Sequence, residues 1–162
     1  MDIRDARADD WPAIWPFLRE IVAAGESYTL PHDPPEPDAR DMWMLRAPGR
    51  TVVAVEGATV LGSVKMGPNH RGPGEHVANA SFMVDPAHAG RGAGRALGEH
   101  VLREARADGY RAIQFNAVDE TNTAAVAHWR SLEFAIVGTV PAAFRLPVGD
   151  YTGLHVMHRY LG

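Results

Sequence analysis

The sequence predicts a mixed α/β (α+β) fold of about seven strands and four helices. Three observations lead there. Thr51–Val55 and Thr59–Met66 read as a hairpin around Glu56-Gly57. Apolar residues recur at helical spacing in Ile14, Phe17, Leu18, Ile21 and Val22, and again in Ala93, Leu97, Val101 and Ala105. Taken along the chain, the elements run βααβββαβαββ.

Residues 2–7 open as a short strand. Asp9 or Asp10 is placed to cap the helix that follows, Pro12 fits its first turn, and Gly25 ends it. Glu26 to Pro37 holds four prolines and reads as a loop. A short helix over Asp38–Leu45 carries Met42, Trp43 and Leu45. After the hairpin, Pro68 to Gly74 is a turn rich in Gly and Pro, followed by a strand over His76–Val84. A helix starts near Ala93 and runs to Asp108, where Gly109 stops it. Arg111–Ala117 is a strand, Thr121–Leu132 a helix and Phe134–Val140 a strand. A loop with Pro141 and Pro147 leads to a last strand, Leu154–Leu161. One domain over residues 1–162 is expected from this length.

Composition narrows the class. The chain is 46% hydrophobic and 22% charged, enough for one ordinary core. It has no cysteine, so neither a disulfide nor a cysteine nucleophile is available. Its net charge of −4, without a basic stripe, argues against a nucleic-acid partner. The 8 histidines show no metal-ligand spacing. Met1-Asp2-Ile3-Arg4-Asp5 is too polar for a signal peptide, and no apolar run is long enough to span a bilayer. The expectation is a cytoplasmic protein with no membrane partner.

The most informative stretch is Val84-Asp85-Pro86-Ala87-His88-Ala89-Gly90-Arg91-Gly92-Ala93-Gly94-Arg95. A strand runs into a loop of Gly and Arg that opens directly into a helix. Gly90, Gly92 and Gly94 let the backbone approach a ligand. The free N–H groups of the first helical turn favour an anion there, and Arg91 and Arg95 add positive charge. A phosphate or pyrophosphate is the expected ligand. The loop lacks the Lys-Ser/Thr pair of a nucleoside-triphosphate site. Asp108 comes too early and Asp119 too late for the acidic residue of a dinucleotide fingerprint.

The segment resembles the acetyl-coenzyme A motif of the GCN5-related N-acetyltransferases, Arg/Gln-x-x-Gly-x-Gly/Ala, with Ala89 standing where the family has Arg or Gln. Asn122-Thr123-Ala124-Ala125-Val126-Ala127-His128-Trp129, running on to Phe134, resembles the family's next motif. The two motifs cover roughly the C-terminal half of the fold. The resemblance implies a mostly antiparallel mixed sheet flanked by helices and splayed between its fourth and fifth strands. It implies that acetyl-coenzyme A is the co-substrate, held by Gly90, Arg91, Gly92, Ala93, Gly94 and Arg95. The pantetheine arm would lie along Phe82, Met83 and Val84, with Asn122 and Trp129 also on the cofactor side. A homodimer is one assembly open to such a protein.

Acetyl transfer to an amine requires a neutral, positioned amine, a donor for the thioester oxygen and a way to release the thiolate. Trp129 stands where the family usually has Tyr, and an indole N–H is no acid near neutral pH. Phe115-Asn116, with Asn122 six residues on, resembles the branch of yeast proline-analogue acetyltransferases. That resemblance implies substrate contacts, and so a catalytic part, for Asn116 and Asn79. Asn is disfavoured in strands, so both positions ask for a reason. Glu26, Tyr28 and Phe144 are candidate substrate-binding residues near the acceptor. Glu26, Glu75 and His76 are general-base candidates by chemistry alone, with a bound water as the alternative. The function expected is N-acetylation of a small-molecule amine, an amino acid or proline-like analogue. A protein N-terminus as acceptor, or a non-catalytic coenzyme A sensor, are the alternatives.

Overall fold

A computed structural model describes all residues, 1–162. Its strands are β1 (Asp2–Asp5), β2 (Arg50–Glu56), β3 (Thr59–Pro68), β4 (Val77–Val84), β5 (Ala112–Asp119), β6 (Ala135–Arg145) and β7 (Tyr151–Tyr160). Its helices are α1 (Trp11–Ala24), α2 (Glu36–Trp43), α3 (Ala93–Ala107) and α4 (Thr123–Ser131). The strands form one seven-stranded sheet in the order β1-β2-β3-β4-β5-β7-β6. Every neighbouring pair is antiparallel except β4 and β5. No helix is long and apolar enough to cross a membrane.

The alternation of side chains along the strands divides the core in two. Val52, Val64, Met66, Ala80 and Phe115 face α3 and meet Leu97, Val101 and Ala105, with Leu132 and Phe134 completing that layer. Val53, Val60 and Met83 face the other way and meet Trp11, Ile14, Leu18 and Trp43 of α1 and α2. Trp43 is fully buried, and its indole N–H donates to the Ser63 hydroxyl at 2.9 Å. Gly25 closes α1 in the left-handed region at φ 66°.

Three local readings need correction. Asp10 occupies the N-cap position of α1 but does not cap it. Its carboxylate turns back to the Arg4 guanidinium, at 2.8 Å to each nitrogen, and to the Arg7 amide, because an ion pair outweighs a cap. The second helix begins two residues earlier than expected, because Pro37 is tolerated in a first turn. Pro141 does not end its strand: β6 is an edge strand, and a shift of register between Val140 and Phe144 absorbs the proline. β7 accordingly starts at Tyr151, three residues before the expected Leu154.

Candidate active site

The site begins where two strands part. β4 and β5 run parallel and pair only at Val77–Ala112 and Ala78–Ile113. One residue further, the Asn79 side chain bridges the seam, its Nδ2 donating to the carbonyl of Gln114 at 3.0 Å. Beyond Asn79 the strands diverge, and β4 has no strand partner on that side. A cleft of about 480 Å³ opens between them.

On the α3 side, aromatic rings line the divergence. Phe82 of β4 and Phe115 of β5 both lean on Trp129 of α4, with centroids 4.7 and 4.5 Å from the indole. Phe134 stacks on Phe115 at 4.4 Å. Trp129 is therefore a packing residue that also lines the cleft, and its indole N–H makes no hydrogen bond within the chain. Asn122 is the N-cap of α4, its Oδ1 accepting from the Ala125 amide at 3.1 Å.

The end of β4 leads through Asp85, whose carboxylate accepts from the Ala87 amide and His88 Nδ1, both at 2.9 Å. The glycine loop follows. Gly90 and Gly92 have φ of 78° and 82°, which L side chains rarely adopt, and a Cβ at either position would meet nothing. Gly92 is the N-cap of α3, and no side chain caps that end. The first-turn amides thus have no side-chain partner. This uncapped, side-chain-free helix start fits a pyrophosphate. The arginines are less free than their number suggests. Arg91 is paired with Glu56 of β2, and Arg95 Nε lies 2.8 Å from Glu99 one turn on.

On the α1–α2 side the strands present polar groups. Asn79 and Ser81 alternate with Ala80 and Phe82, as Gln114 and Asn116 alternate with Ile113 and Phe115. Three carboxamides are joined in a row: Gln114 Nε2 donates to Asn116 Oδ1 at 2.9 Å, and Asn116 Nδ2 donates to Asn69 Oδ1 at 2.7 Å. Asn79, Ser81 and Asn116 line the cleft. Tyr28, on the loop after α1, lines it opposite them, and burial pushes its phenol well above the ordinary value.

Of the residues expected at the acceptor, Asn79, Asn116 and Tyr28 come together. Glu26 does not: it is exposed and off the cleft. Phe144 is buried at the bulged end of β6, also off the cleft, because the strand continues where a loop was expected. Glu75 and His76 are exposed and stand outside it. Met83 turns its side chain into the α1–α2 core. Asn69 and Gln114 were not singled out by the sequence. Gln114 carries a signal, since it shares the period-two polar face of Asn116. Asn69 sits in a Pro/Gly-rich turn and carries none.

The sequence profile of the acetyltransferase (GNAT) family matches residues 4–134. The chain belongs to that family. It is 33% identical over 147 residues to the N-acetyltransferase aca1 of Schizosaccharomyces pombe, covering 90% of this chain and 63% of that protein. Among solved structures, a GCN5-related N-acetyltransferase from Kribbella flavida is 55% identical, with a TM-score of 0.95 over 99% of this chain and 97% of that one. A phosphinothricin acetyltransferase from Sinorhizobium meliloti, solved with acetyl-coenzyme A, shares the fold at 23% identity, with a TM-score of 0.89 over 99% of this chain and 88% of that one.

Proposed function

We propose that residues 1–162 form one acetyltransferase domain that N-acetylates a small-molecule amine of amino-acid or proline-like kind. The observation that carries this reading is the pair of carboxamides Asn79 and Asn116 on the wall of the cleft that Tyr28 also lines, with Asn116 held from behind by Gln114 and Asn69. Neutral amides suit a small polar acceptor that must be oriented. The fission-yeast relative's name, an N-acetyltransferase, supports nitrogen as the acceptor atom.

Acetyl-coenzyme A supplies the activated acetyl group as a thioester. Gly90, Arg91, Gly92, Ala93, Gly94 and Arg95 would hold its pyrophosphate, chiefly by backbone amides. The unpaired edge of β4 at Phe82, Met83 and Val84 would hold the pantetheine arm, as a strand edge takes an extended chain. Trp129 packs against that arm, and Asn122 holds the start of α4 beneath it. Asn116 and Asn79 orient the acceptor amine. The indole of Trp129 and the Tyr28 phenol, raised by burial, are too weakly acidic to protonate the thiolate, so as the N–C bond forms and the C–S bond breaks coenzyme A leaves as the thiolate and the amine's proton passes to water. A cytoplasmic location belongs to the same reading. So does a homodimer, supported by the apolar residues Val137, Val140 and Tyr151 exposed along β6 and β7.

Thiol release from acetyl-coenzyme A tests the proposal, measured over amino acids, cyclic secondary amines and peptides. Small amines are expected as the best acceptors. Release with peptides alone, or with no amine at all, would refute it.

A further inference from the structure

The α1–α2 face of the sheet holds a cation without a carboxylate partner, Lys65, that the reaction above does not use. Lys65 is the only lysine among the chain's 16 lysines and arginines. It lies on β3 opposite Ser81, two residues before Gly67, which is opposite Asn79. Paired residues and residues two apart share a face, so Lys65 faces the same side as Asn79 and Ser81.

Its surroundings are unusual for a lysine. The side chain is half-buried. Nζ donates to the Met42 carbonyl at 3.1 Å and stands 5.6 Å from the centroid of the Trp43 ring. No carboxylate is within ion-pair distance of it, whereas five arginines, Arg4, Arg50, Arg91, Arg95 and Arg159, each meet at least one. An ammonium carries three N–H donors, and one is spent on Met42. Burial without a counter-ion pulls its pKa below the ordinary lysine value. Such a charge is costly to hold unless something pairs with it.

Beside Lys65 is a cavity of about 100 Å³, walled by Leu45, Gly67, Pro68, Lys65 and Asn79. Asn79 is also a wall of the main cleft. The lone ammonium and the acceptor-orienting carboxamide therefore border one small space, next to the place where the amine is acetylated. Lysine suits it: a compact point charge fits a cavity of a few heavy atoms better than a planar guanidinium.

We propose that Lys65 determines acceptor specificity by pairing with a carboxylate, so that the acceptor is an amino acid whose acid group lies in this side cavity and whose amine lies in the cleft beyond Asn79. The inference rests on the small-amine reading and narrows it from amines in general to those bearing a carboxylate.

Because the chain has one lysine, isotope-labelled lysine gives a single side-chain signal by nuclear magnetic resonance. With coenzyme A bound, proline and alanine are titrated against their amides. Both acids are expected to move the Lys65 signal and the amides are not. In steady-state assays Lys65→Met keeps the apolar stem. It should raise KM for the acid about 10- to 100-fold, the range of one charge-assisted hydrogen bond, leaving KM for the amide and the affinity for acetyl-coenzyme A unchanged. Lys65→Arg should recover part of the loss. Equal losses for acid and amide, or a signal indifferent to both acids, would overturn the inference. The two readings fail separately. A Lys65 signal that responds to acids without any small-amine turnover defeats the acceptor reading and upholds the carboxylate site. Turnover of small amines with an indifferent Lys65 does the reverse.

Discussion

Asn116 stands on β5 with both ends of its carboxamide engaged, by Gln114 on one side and Asn69 on the other. That fixes which way its donors point. Asn116→Ala should lower kcat for a small amine on the order of 100-fold, the usual cost of one well-placed transition-state donor. Binding of acetyl-coenzyme A should be unaffected, and a loss shared equally by both would refute the assignment. Asn69→Ala, which touches only the orientation of Asn116, should cost less. His128 offers a second test. Its Nε2 is buried without a partner beside Trp129. Burial first, and then the Arg95 charge, lowers its pKa below the ordinary 6.5. The unfolded chain thus takes the proton more readily than the folded one. Stability is full above that value and is lost as pH falls below it. His128→Leu should add about 1 kcal/mol by removing the unsatisfied nitrogen and should shrink the acid-side loss. His100, shifted the same way by burial, keeps the rest. Urea unfolding at neutral and mildly acid pH checks this, and an undiminished loss in the variant would contradict it.

At the scale of elements, the proposed cofactor side falls on the end of β4 and the start of α3. A Cβ at Gly94 would meet only Val84, at an ordinary 3.5 Å. Gly94→Phe should therefore fold while blocking the approach of a pyrophosphate. Acetyl-coenzyme A at 100 times its Kd stabilises a protein by about 2.7 kcal/mol. That rise in Tm should vanish in the variant, and its persistence would place the cofactor elsewhere. Gly62 behaves differently. A Cβ there would stand 2.8 Å from the Met83 carbonyl oxygen, a backbone atom that cannot swing away. Gly62→Ala should cost about 1–3 kcal/mol in denaturant unfolding. Elements were legible in sequence where periodicity and punctuation agree, as in α1 between Pro12 and Gly25. They were not legible where a strand's position in the sheet overrides its composition. Pro141 reads as a break, yet an edge strand has no partner needing the missing N–H.

Across the whole molecule, two apolar layers lie on opposite faces of a sheet whose halves meet at a short parallel seam. That seam has two strand pairs and the Asn79 bridge. Asn79→Ala should loosen it, with a stability loss of about 1 kcal/mol and faster amide exchange over Ala112–Gln114. It should also lower turnover, since the same side chain borders the cleft. Reduced turnover with unchanged exchange would make Asn79 a substrate contact alone. Faster exchange with full turnover would make it structural alone.

The sequence by itself determined the order of the elements, the helical faces that form the core, and the glycine loop before α3. Each is written in neighbouring residues, through local spacing and backbone freedom. Tertiary structure alone decided what stands beside what. The parting of β4 and β5, the pairing of Arg91 with Glu56 and the row Gln114–Asn116–Asn69 join residues far apart in the chain. So does the placing of Lys65 against the cavity that Asn79 shares with the cleft. The physical reason is that a polar side chain in a strand has no local partner to announce its role. Its role is settled by the groups that the sheet's register brings opposite it.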